Sequence, residues 1–559
     1  MANTAPINGT MLTMPLPTIR NIGRNGAVPV TSPFFLIRLT HTHESFRVPE
    51  LEALATSLNV NLEVIDYQPT SPFCVVRLQP RNTSQPLTPQ QYHSLARKFG
   101  ANSILAKSIH ELYATATTYE ELHSQIKSLP SSTWTPYRNV SFKFSIDAFF
   151  GKRSTVEQRS IIESFSYLPF QGKIVMKQPD EEFVVSEEWE LLTPEEHSIL
   201  NTGSDLRTSE ICGESQTGTV ARSTEVLNLR KPKRLFFTRY IGLTKRDLID
   251  KHDLKKRPYI STTSMDAELA LITANLALAS AGKLFLDPFV GTGGFMIAAA
   301  ELGAVTLGSD IDGRSFRGKG TGLERGVGRN FSKYQLQNMF GDCLTSDLTN
   351  SPFGWPGKVV GMKSSRWLDG IICDPPYGIR EGLKVLGRRS HDPATPSSES
   401  GAEKDDSNLR RATHDGPYFV GGVPSHTLPG FIAPKRPYSF NRMLDDILDF
   451  AARTLVDGGR LAFWMPSANE NTEEEFPIPR HCMLELKHVC VQSFNKWSRR
   501  LLVYRRIVGE IPEVLANKVS DLSLKRADGT KADELNQFRR MYFRGFNNSD
   551  PQPPRNDHG

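Results

Sequence analysis

An apolar segment that runs directly into a glycine-rich turn constrains this chain of 559 residues more than any other feature. The segment reads KLFLDPFVGTGGF over residues 283–295, and the Ala-rich stretch after it, 296–303, is typical of a helix. Glycines let the backbone approach a ligand closely, and the start of a helix offers free N–H donors. The pattern therefore predicts a strand, a ligand-binding turn and a helix within an α/β domain.

The acid that precedes the glycines predicts the class of ligand. Asp287 would repel a pyrophosphate but attract an ammonium or a sulfonium, and the turn lacks the GxGxxG pattern of NAD-binding proteins. S-adenosylmethionine carries both cations. Asp287 would meet its amino group, Asp310 at the end of a strand over 304–309 its ribose, and Asp342 after a strand over 337–340 its adenine amine. The predicted cofactor-binding residues are Asp287, Pro288, Phe289, Gly291, Thr292, Gly293, Asp310, Ile311, Asp342, Cys343 and Asp374.

A second motif, DPPY, follows a fourth predicted strand over 367–373. The lone pair of an aromatic exocyclic amine is delocalised into its ring, so hydrogen-bond acceptors must pull on its hydrogens before the nitrogen can attack a methyl group. The Asp374 carboxylate and the Pro375 carbonyl can supply that pull, Pro375 and Pro376 hold the loop rigid, and Tyr377 offers a face for a flipped base. These four are the predicted catalytic residues; a simple Pro-Pro turn is the structural alternative.

The chain is too long for one ordinary domain, so at least two are expected. We expect a disordered leader at 1–32, an N-terminal α/β domain at 33–195, a linker at 196–229 and a C-terminal α/β domain at 230–510. A Ser-, Pro- and Gly-rich stretch at 386–432 predicts a mobile insertion, and 511–559 a C-terminal extension with a disordered end. The six cysteines form no CxxC pair, and no metal site is expected.

Net charge is only +6, but it is unevenly placed. Between Arg230 and Arg257 there are eleven Lys or Arg residues and three Asp, with aromatic residues interleaved. This run predicts contacts to the phosphates of a nucleic acid, although a solvated helix face would look similar. The predicted RNA-binding residues are Arg230, Lys231, Lys233, Arg234, Lys255, Lys256 and Arg257. No apolar stretch is long enough to span a membrane, and the cytoplasm is the expected location.

Taken together, the segment YIGLTKRDLIDKHDLKKRPYISTTSMDAEL and the motifs DPFVGTGG, GSDIDGRSFRGKG, GDC and DGIICDPPYGIRE resemble the tRNA guanosine-10 N2-methyltransferase family. The segments FFLIRLTHTHESFRVPELEAL and QGKIVMKQPDEEFVVSEEWELL resemble parts of its N-terminal half, a THUMP-type RNA-binding module. The resemblance spans roughly residues 33–510, and the insertion at 386–432 departs from it.

The resemblance implies a class I, Rossmann-like methyltransferase domain with a seven-stranded, mostly parallel sheet, preceded by the α/β THUMP-type domain. It also implies methyl transfer from S-adenosylmethionine to the N2 amine of guanosine-10 in tRNA. A small zinc-binding activator subunit is implied as well; it would extend the methyltransferase sheet, with the strand at 337–340 as our candidate edge.

Two other functions remain open from the residues alone. An N6-adenine methyltransferase acting on DNA or RNA would use the same DPPY chemistry. A non-catalytic tRNA-binding scaffold would need neither motif.

Overall fold

The computed structural model describes residues 33–81, 87–190, 231–319, 324–353, 366–379, 383–386, 419–420, 422–424, 427–428, 435–468, 478–494, 497–509, 536 and 538. Its contacts divide the chain into two compact units. The first comprises Met1–Glu44 and Leu54–Arg246, and the second Ser45–Ala53 and Asp247–Gly559. The expected leader, the linker, most of the insertion and nearly all of the C-terminal extension lie outside the described residues.

The first unit contains one sheet with short helices. Its strands are β1 (Phe34–Leu39), β2 (Val60–Tyr67), β3 (Phe73–Pro80), β4 (Ala106–Ala116), β5 (Phe142–Phe149), β6 (Glu181–Trp189) and β7 (Pro232–Gly242), and its helices are α1 (Glu44–Ser57, part of which belongs to the second unit), α2 (Pro89–Gly100), α3 (Tyr119–Lys127) and α4 (Thr155–Glu163). Capping boxes at Thr88 and Ser154 begin α2 and α4. An aromatic core that includes Trp134, Phe183 and Phe237 packs on the sheet.

The order of strands in this sheet is β2-β3-β1-β4-β7-β6-β5. β7 pairs antiparallel with both β4 and β6, and its central residues are buried. The sequence placed residues 230–246 in the C-terminal domain, and that boundary was wrong: the contacts put β7 in the first unit, and the second unit resumes at Asp247. The charged ends of this segment resemble a surface run, whereas its apolar centre fills a position inside the sheet.

The second unit contains the strand, turn and helix predicted around the glycines. Its helices are α5 (Asp247–Lys251), α6 (Ala267–Leu276), α7 (Gly294–Glu301), α8 (Arg314–Arg317), α9 (Gly326–Tyr334) and α10 (Phe440–Thr454). Its strands are β8 (Leu284–Asp287), β9 (Val305–Asp310), β10 (Phe340–Thr345), β11 (Leu368–Cys373), β12 (Lys384–Leu386), β13 (Phe419–Val420), β14 (Val423–Pro424), β15 (Lys435–Pro437), β16 (Leu455–Ala468), β17 (Leu484–Ser493) and β18 (Trp497–Arg506).

Seven of these strands form one sheet in the order β10-β9-β8-β11-β16-β18-β17. The first five strands pair in parallel, and β18 and β17 pair antiparallel. The predicted fold class, a Rossmann-like α/β domain with a seven-stranded, mostly parallel sheet that follows an N-terminal α/β domain along the chain, is confirmed. Because strand order reverses between β8 and β11, their carboxyl ends border the crevice where open α/β sheets bind ligands.

The third strand of this sheet was predicted too early. Residues Gln337–Met339 form a turn of 3₁₀ helix, and β10 begins at Phe340. Residues Gln337–Met339, two of which are polar, therefore form the turn that leads into the strand. This shift places Asp342 and Cys343 within β10 rather than after it.

The described residues on either side of the predicted insertion pair with each other. β12 and β15 pair antiparallel, with Lys384 opposite Pro437 and Leu386 opposite Lys435. A two-stranded sheet thus joins the two ends of the segment predicted as an insertion. No described helix is long and apolar enough to cross a membrane.

Candidate active site

The glycine-rich turn begins at a buried carboxylate. Asp287 ends β8 and is 4% exposed, and its Oδ1 accepts a hydrogen bond from the Phe289 N–H at 3.0 Å. Burial raises its pKa well above the ordinary value; the Phe289 N–H opposes this rise, and the charges of Asp310 and Asp374 add to it. Asp287 therefore lies within electrostatic reach of Asp310 and Asp374, and a cation placed among them would favour its ionised form.

Asp310 ties the second strand to the turn. Its Oδ2 accepts the Gly291 N–H at 3.1 Å and its Oδ1 the Asp312 N–H at 2.8 Å. Burial raises its pKa, although these N–H groups partly offset the rise. Each carboxylate oxygen has a second lone pair, so Asp310 can still accept hydrogen bonds from a pair of ribose hydroxyls.

Two glycines give the turn its shape. Gly291 and Gly293 have φ values of 48° and 78°, a region that favours glycine. Gly293 precedes α7 as its N-cap without a side-chain cap, and a Cβ atom there would lie 2.7 Å from Val327 Cγ1. The N–H groups at the start of α7 are therefore available to a ligand beside the aspartates.

The other predicted cofactor residues surround this turn to differing degrees. Cys343 lies near Asp342, Asp287 and Asp310, whose charges add to the rise in its pKa caused by burial. Its Sγ is 3.8 Å from Met296 Sδ. Pro288 and Thr292 are buried, Phe289 and Ile311 half-buried, and Asp342 exposed on β10.

The DPPY motif follows β11, the neighbour of β8 in the sheet. Burial raises the pKa of Asp374, and the neighbouring Tyr377 hydroxyl and the charge of Arg499 offset part of the rise. Asp374 Oδ1 is buried and has no hydrogen-bond partner among the described residues. A buried acceptor without a donor is costly unless a ligand supplies one, so this oxygen is suited to receive the hydrogens of an amine.

Aromatic rings and a C-terminal residue support the DPPY loop. Tyr377 makes an edge contact with Trp497, with ring centroids 6.2 Å apart, and Trp497 stacks on Phe494 at 4.6 Å. Asn536 Nδ2 donates to the Tyr377 carbonyl at 2.8 Å. These supports were not predicted from the sequence because they come from segments more than a hundred residues away from the motif.

The predicted RNA-binding residues differ in how much of each side chain is exposed to solvent. Lys231, Lys233, Lys255 and Lys256 are exposed, as the prediction required, and Arg230 lies outside the described residues. Arg234 is instead buried, with its Nε 2.5 Å from Glu188 and its guanidinium also paired with Asp66. Arg257 is buried beside the glycine-rich turn. Neither arginine has the exposure that a phosphate contact needs. The run of charged residues in the sequence could not indicate this, because composition gives the charge of a residue and not its burial.

Further residues, not predicted from the sequence, form hydrogen bonds that stabilise the glycine-rich turn. Asn330 Nδ2 donates to the carbonyls of Tyr259 and Thr292, at 2.9 and 3.1 Å. The Ser264 and Thr292 hydroxyls are 2.9 Å apart. Ser264 and Tyr259 lie in the segment YISTTS, upstream of the DPFVGTGG motif. The polar side chains of this segment were the sequence feature that could have indicated contacts with the turn.

Two family models match the chain. The Tmrp11 THUMP N-terminal domain matches residues 33–202, and the RMKL-like methyltransferase domain matches residues 255–339. The second match covers β8, β9 and the glycine-rich turn, where the structure places Asp287 and Asp310.

Curated relatives align with nearly the whole chain. A protein of Saccharomyces cerevisiae named tRNA (guanine(10)-N(2))-methyltransferase is 36% identical over 92% of this chain and 99% of its own length. The Schizosaccharomyces pombe protein of that name is 33% identical over 91% of this chain and 96% of its own, and human TRMT11 is 28% identical over 93% and 97%. A solved structure, described as a possible methylase from Clostridium difficile 630, aligns with 86% of this chain and 99% of its own at 11% identity, with a TM-score of 0.32. On the length and level of the first two matches, the chain belongs to the tRNA (guanine(10)-N(2))-methyltransferase family.

Proposed function

We propose that this chain transfers a methyl group from S-adenosylmethionine to the exocyclic N2 amine of guanosine-10 in tRNA. The observation that carries the proposal is the buried, unpartnered Oδ1 of Asp374, at the end of the strand next to the one that ends in Asp287. An acceptor for an amine and a carboxylate for a cationic cofactor thus lie across the crevice at which strand order reverses.

The protein's own groups account for the main requirements of this reaction. S-adenosylmethionine, when bound, supplies an electrophilic methyl group on its sulfonium. Asp287 would hold its ammonium, Asp310 its ribose and the β10 residues Asp342 and Cys343 its adenine. These side chains suit those parts because carboxylates attract cations and accept hydroxyl hydrogens.

The target base must leave its stack, at a cost of a few kcal/mol. Tyr377 would stack on it, while Asp374 Oδ1 and the Pro375 carbonyl accept the two amine hydrogens. This pull directs the nitrogen lone pair toward the methyl group, and Asp374 Oδ1 can take the proton that the amine releases. Holding the reactants in line supplies much of the rate.

The test compares Asp374→Asn with Asp445→Asn, a conservative change on α10 away from the site. Asp374→Asn keeps the size of the side chain but removes the charge, so we expect methyl transfer to fall by about 10² or more with cofactor binding largely retained. Asp445→Asn should leave both unchanged. Full activity of Asp374→Asn would overturn the role of this residue.

Product analysis separates the proposed function from its rivals. Transfer should yield N2-methylguanosine and should stop when guanosine-10 of the tRNA is replaced by adenosine. N6-methyladenosine would identify an adenine methyltransferase, and failure of the chain to bind S-adenosylmethionine even with its activator would favour a tRNA-binding scaffold. We propose the cytoplasm as the site of this activity.

We also propose that a small zinc-binding activator subunit adds a strand to β10. Among the described strands, β10 is one edge of the second sheet and β17 the other, and an edge strand offers unpaired N–H and C=O groups to a partner. This moves our candidate edge from residues 337–340 to Phe340–Thr345. Hydrogen exchange of the co-expressed pair should show new protection on β10 and none on β17, and the reverse pattern would contradict this edge.

A further inference from the structure

A buried arginine beside the glycine-rich turn has donors that the described protein leaves unused. Arg257 follows the 3₁₀ turn Leu254–Lys256 and is 5% exposed, although Lys255 and Lys256 before it are exposed. Its Nη2 donates to the His252 carbonyl at 3.4 Å, a long hydrogen bond. Its Nε and Nη1 are buried without any hydrogen-bond partner among the described residues. A buried cation in this state is costly unless an anion joins it.

The unpartnered donors are at the start of α7. A Cβ atom built on Gly294, the first residue of α7, would lie 3.5 Å from Arg257 Nη1. This helix has eight residues, and its N-cap, Gly293, supplies no side-chain cap. The guanidinium and the positive end of the helix therefore reach the same place, where a negative group would satisfy both.

The acidic residues of the site do not fill this role. Asp287 Oδ1 accepts the Phe289 N–H, and Asp310 accepts the N–H groups of Gly291 and Asp312. Neither of these carboxylates pairs with Arg257 in the described structure. Glu301 lies at the far end of α7 and pairs with Lys251 and His252. The guanidinium thus remains available to a ligand.

We propose that Arg257, together with the start of α7, binds the carboxylate of the methionine part of S-adenosylmethionine; this rests on the proposed function. The methionine end of that cofactor is a zwitterion. Its ammonium suits Asp287, and its carboxylate, which is attached to the same carbon as the ammonium, needs a cationic partner in the protein. A guanidinium matches a carboxylate with two parallel hydrogen bonds. Burial of Arg257 disfavours the phosphate contact to tRNA that its position in a basic run predicted.

The test measures binding of two cofactors that differ only in this carboxylate. The full chain, the Arg257→Met variant and the Lys256→Met control are titrated with S-adenosylmethionine and with decarboxylated S-adenosylmethionine. We expect wild type and Lys256→Met to favour the first ligand by about 10- to 100-fold, the effect of a charged hydrogen-bonded pair. Arg257→Met should lose most of this preference while binding the decarboxylated ligand as wild type does, which also shows that the site is folded.

Several results would overturn the assignment. One is a wild-type chain that binds the two ligands equally; another is an Arg257→Met variant that keeps the preference. A variant that loses tRNA affinity but not the preference would show Arg257 to be a phosphate contact instead. If Arg257→Met binds neither ligand, the Arg257→Lys variant is measured instead. Lysine keeps the positive charge but lacks the two parallel donors of a guanidinium, so a preference for S-adenosylmethionine equal to that of wild type would contradict bidentate binding. Failure of wild type to bind either ligand would count against the proposed function itself.

Discussion

The aspartates that border the crevice have an unusual electrostatic environment before any ligand is added. Asp287 is buried and Asp310 and Asp374 are half-buried, and desolvation raises the pKa of each. Asp310 and Asp374 also raise the pKa of Asp287 through their charge. Three carboxylates gathered in this way are unfavourable when ionised and favourable around a cation. Protonation and cofactor binding should therefore be linked.

The sign of this linkage can be tested. In the unliganded protein these three aspartates stay protonated at pH values above 3.8, the ordinary pKa of an aspartate. The folded protein then binds more protons than the unfolded chain, so its stability falls as pH rises through the raised pKa values. A sulfonium and an ammonium favour the ionised forms. Binding of S-adenosylmethionine should hence release protons, and its affinity should rise with pH across that window. Calorimetry in two buffers of different ionisation enthalpy measures the release.

The matched variant for this titration is Asp287→Asn. It removes the carboxyl whose pKa is raised the most, so it should bind the cofactor more weakly, with fewer protons released and a flatter dependence on pH. Proton release that equals wild type in this variant would place the linkage at another group.

At the scale of the element, the sequence predicted what is encoded within one short segment. The strand into Asp287, the turn and α7 follow one another along the chain, and so do β11 and Asp374, so apolar runs and glycines located them. The start of β10 was placed too early because the 3₁₀ turn Gln337–Met339 directly precedes the strand, and its residues carry no pattern that separates them from it. The support of Tyr377 by Asn536 and Trp497 joins residues distant in sequence, which no local pattern can indicate.

The glycine-rich turn makes a prediction at this scale. Gly293 and Gly282 both have φ near 80°, at 78° and 81°, but a Cβ on Gly293 would clash with Val327, and one on Gly282 would meet nothing within 4 Å. Gly282→Ala should cost only the backbone strain, about 1 kcal/mol of unfolding free energy. Gly293→Ala should cost more and weaken cofactor binding by about tenfold or more, because the turn must shift.

A second substitution identifies the cause of that loss. Val327→Ala removes the methyl groups that the new Cβ would meet, so adding it to Gly293→Ala should recover part of the cofactor affinity. Denaturant unfolding and cofactor titration of the single and double variants measure both effects. Equal losses for Gly282→Ala and Gly293→Ala would show that strain alone, and not the contact with Val327, decides the outcome.

At the scale of the whole molecule, the two sheets were predictable as classes and the boundary between the units was not. The charged ends of residues 230–246 pointed to a surface segment, but the buried centre of β7 joins β4 to β6. The same run of charge therefore serves different purposes along its length. Arg234 stabilises the first unit through Glu188 and Asp66, Arg257 lies beside the turn of the second, and the four predicted RNA-binding lysines are exposed.

This division predicts which cations contribute to tRNA binding. Lys231, Lys233, Lys255 and Lys256 are exposed, and replacing each by Gln should weaken tRNA binding and lower the slope of log affinity against log salt by about 1 for each phosphate that is no longer neutralised. Arg234→Gln leaves the buried Glu188 and the half-buried Asp66 without their cation, so it should instead cost about 3 kcal/mol of folding stability and leave the slope of the folded protein unchanged. Filter binding across a salt series, with thermal unfolding in parallel, separates the two effects. Unchanged slopes in all four lysine variants would mean that these residues form a solvated face, and the surface that holds tRNA would then have to be sought elsewhere on the chain.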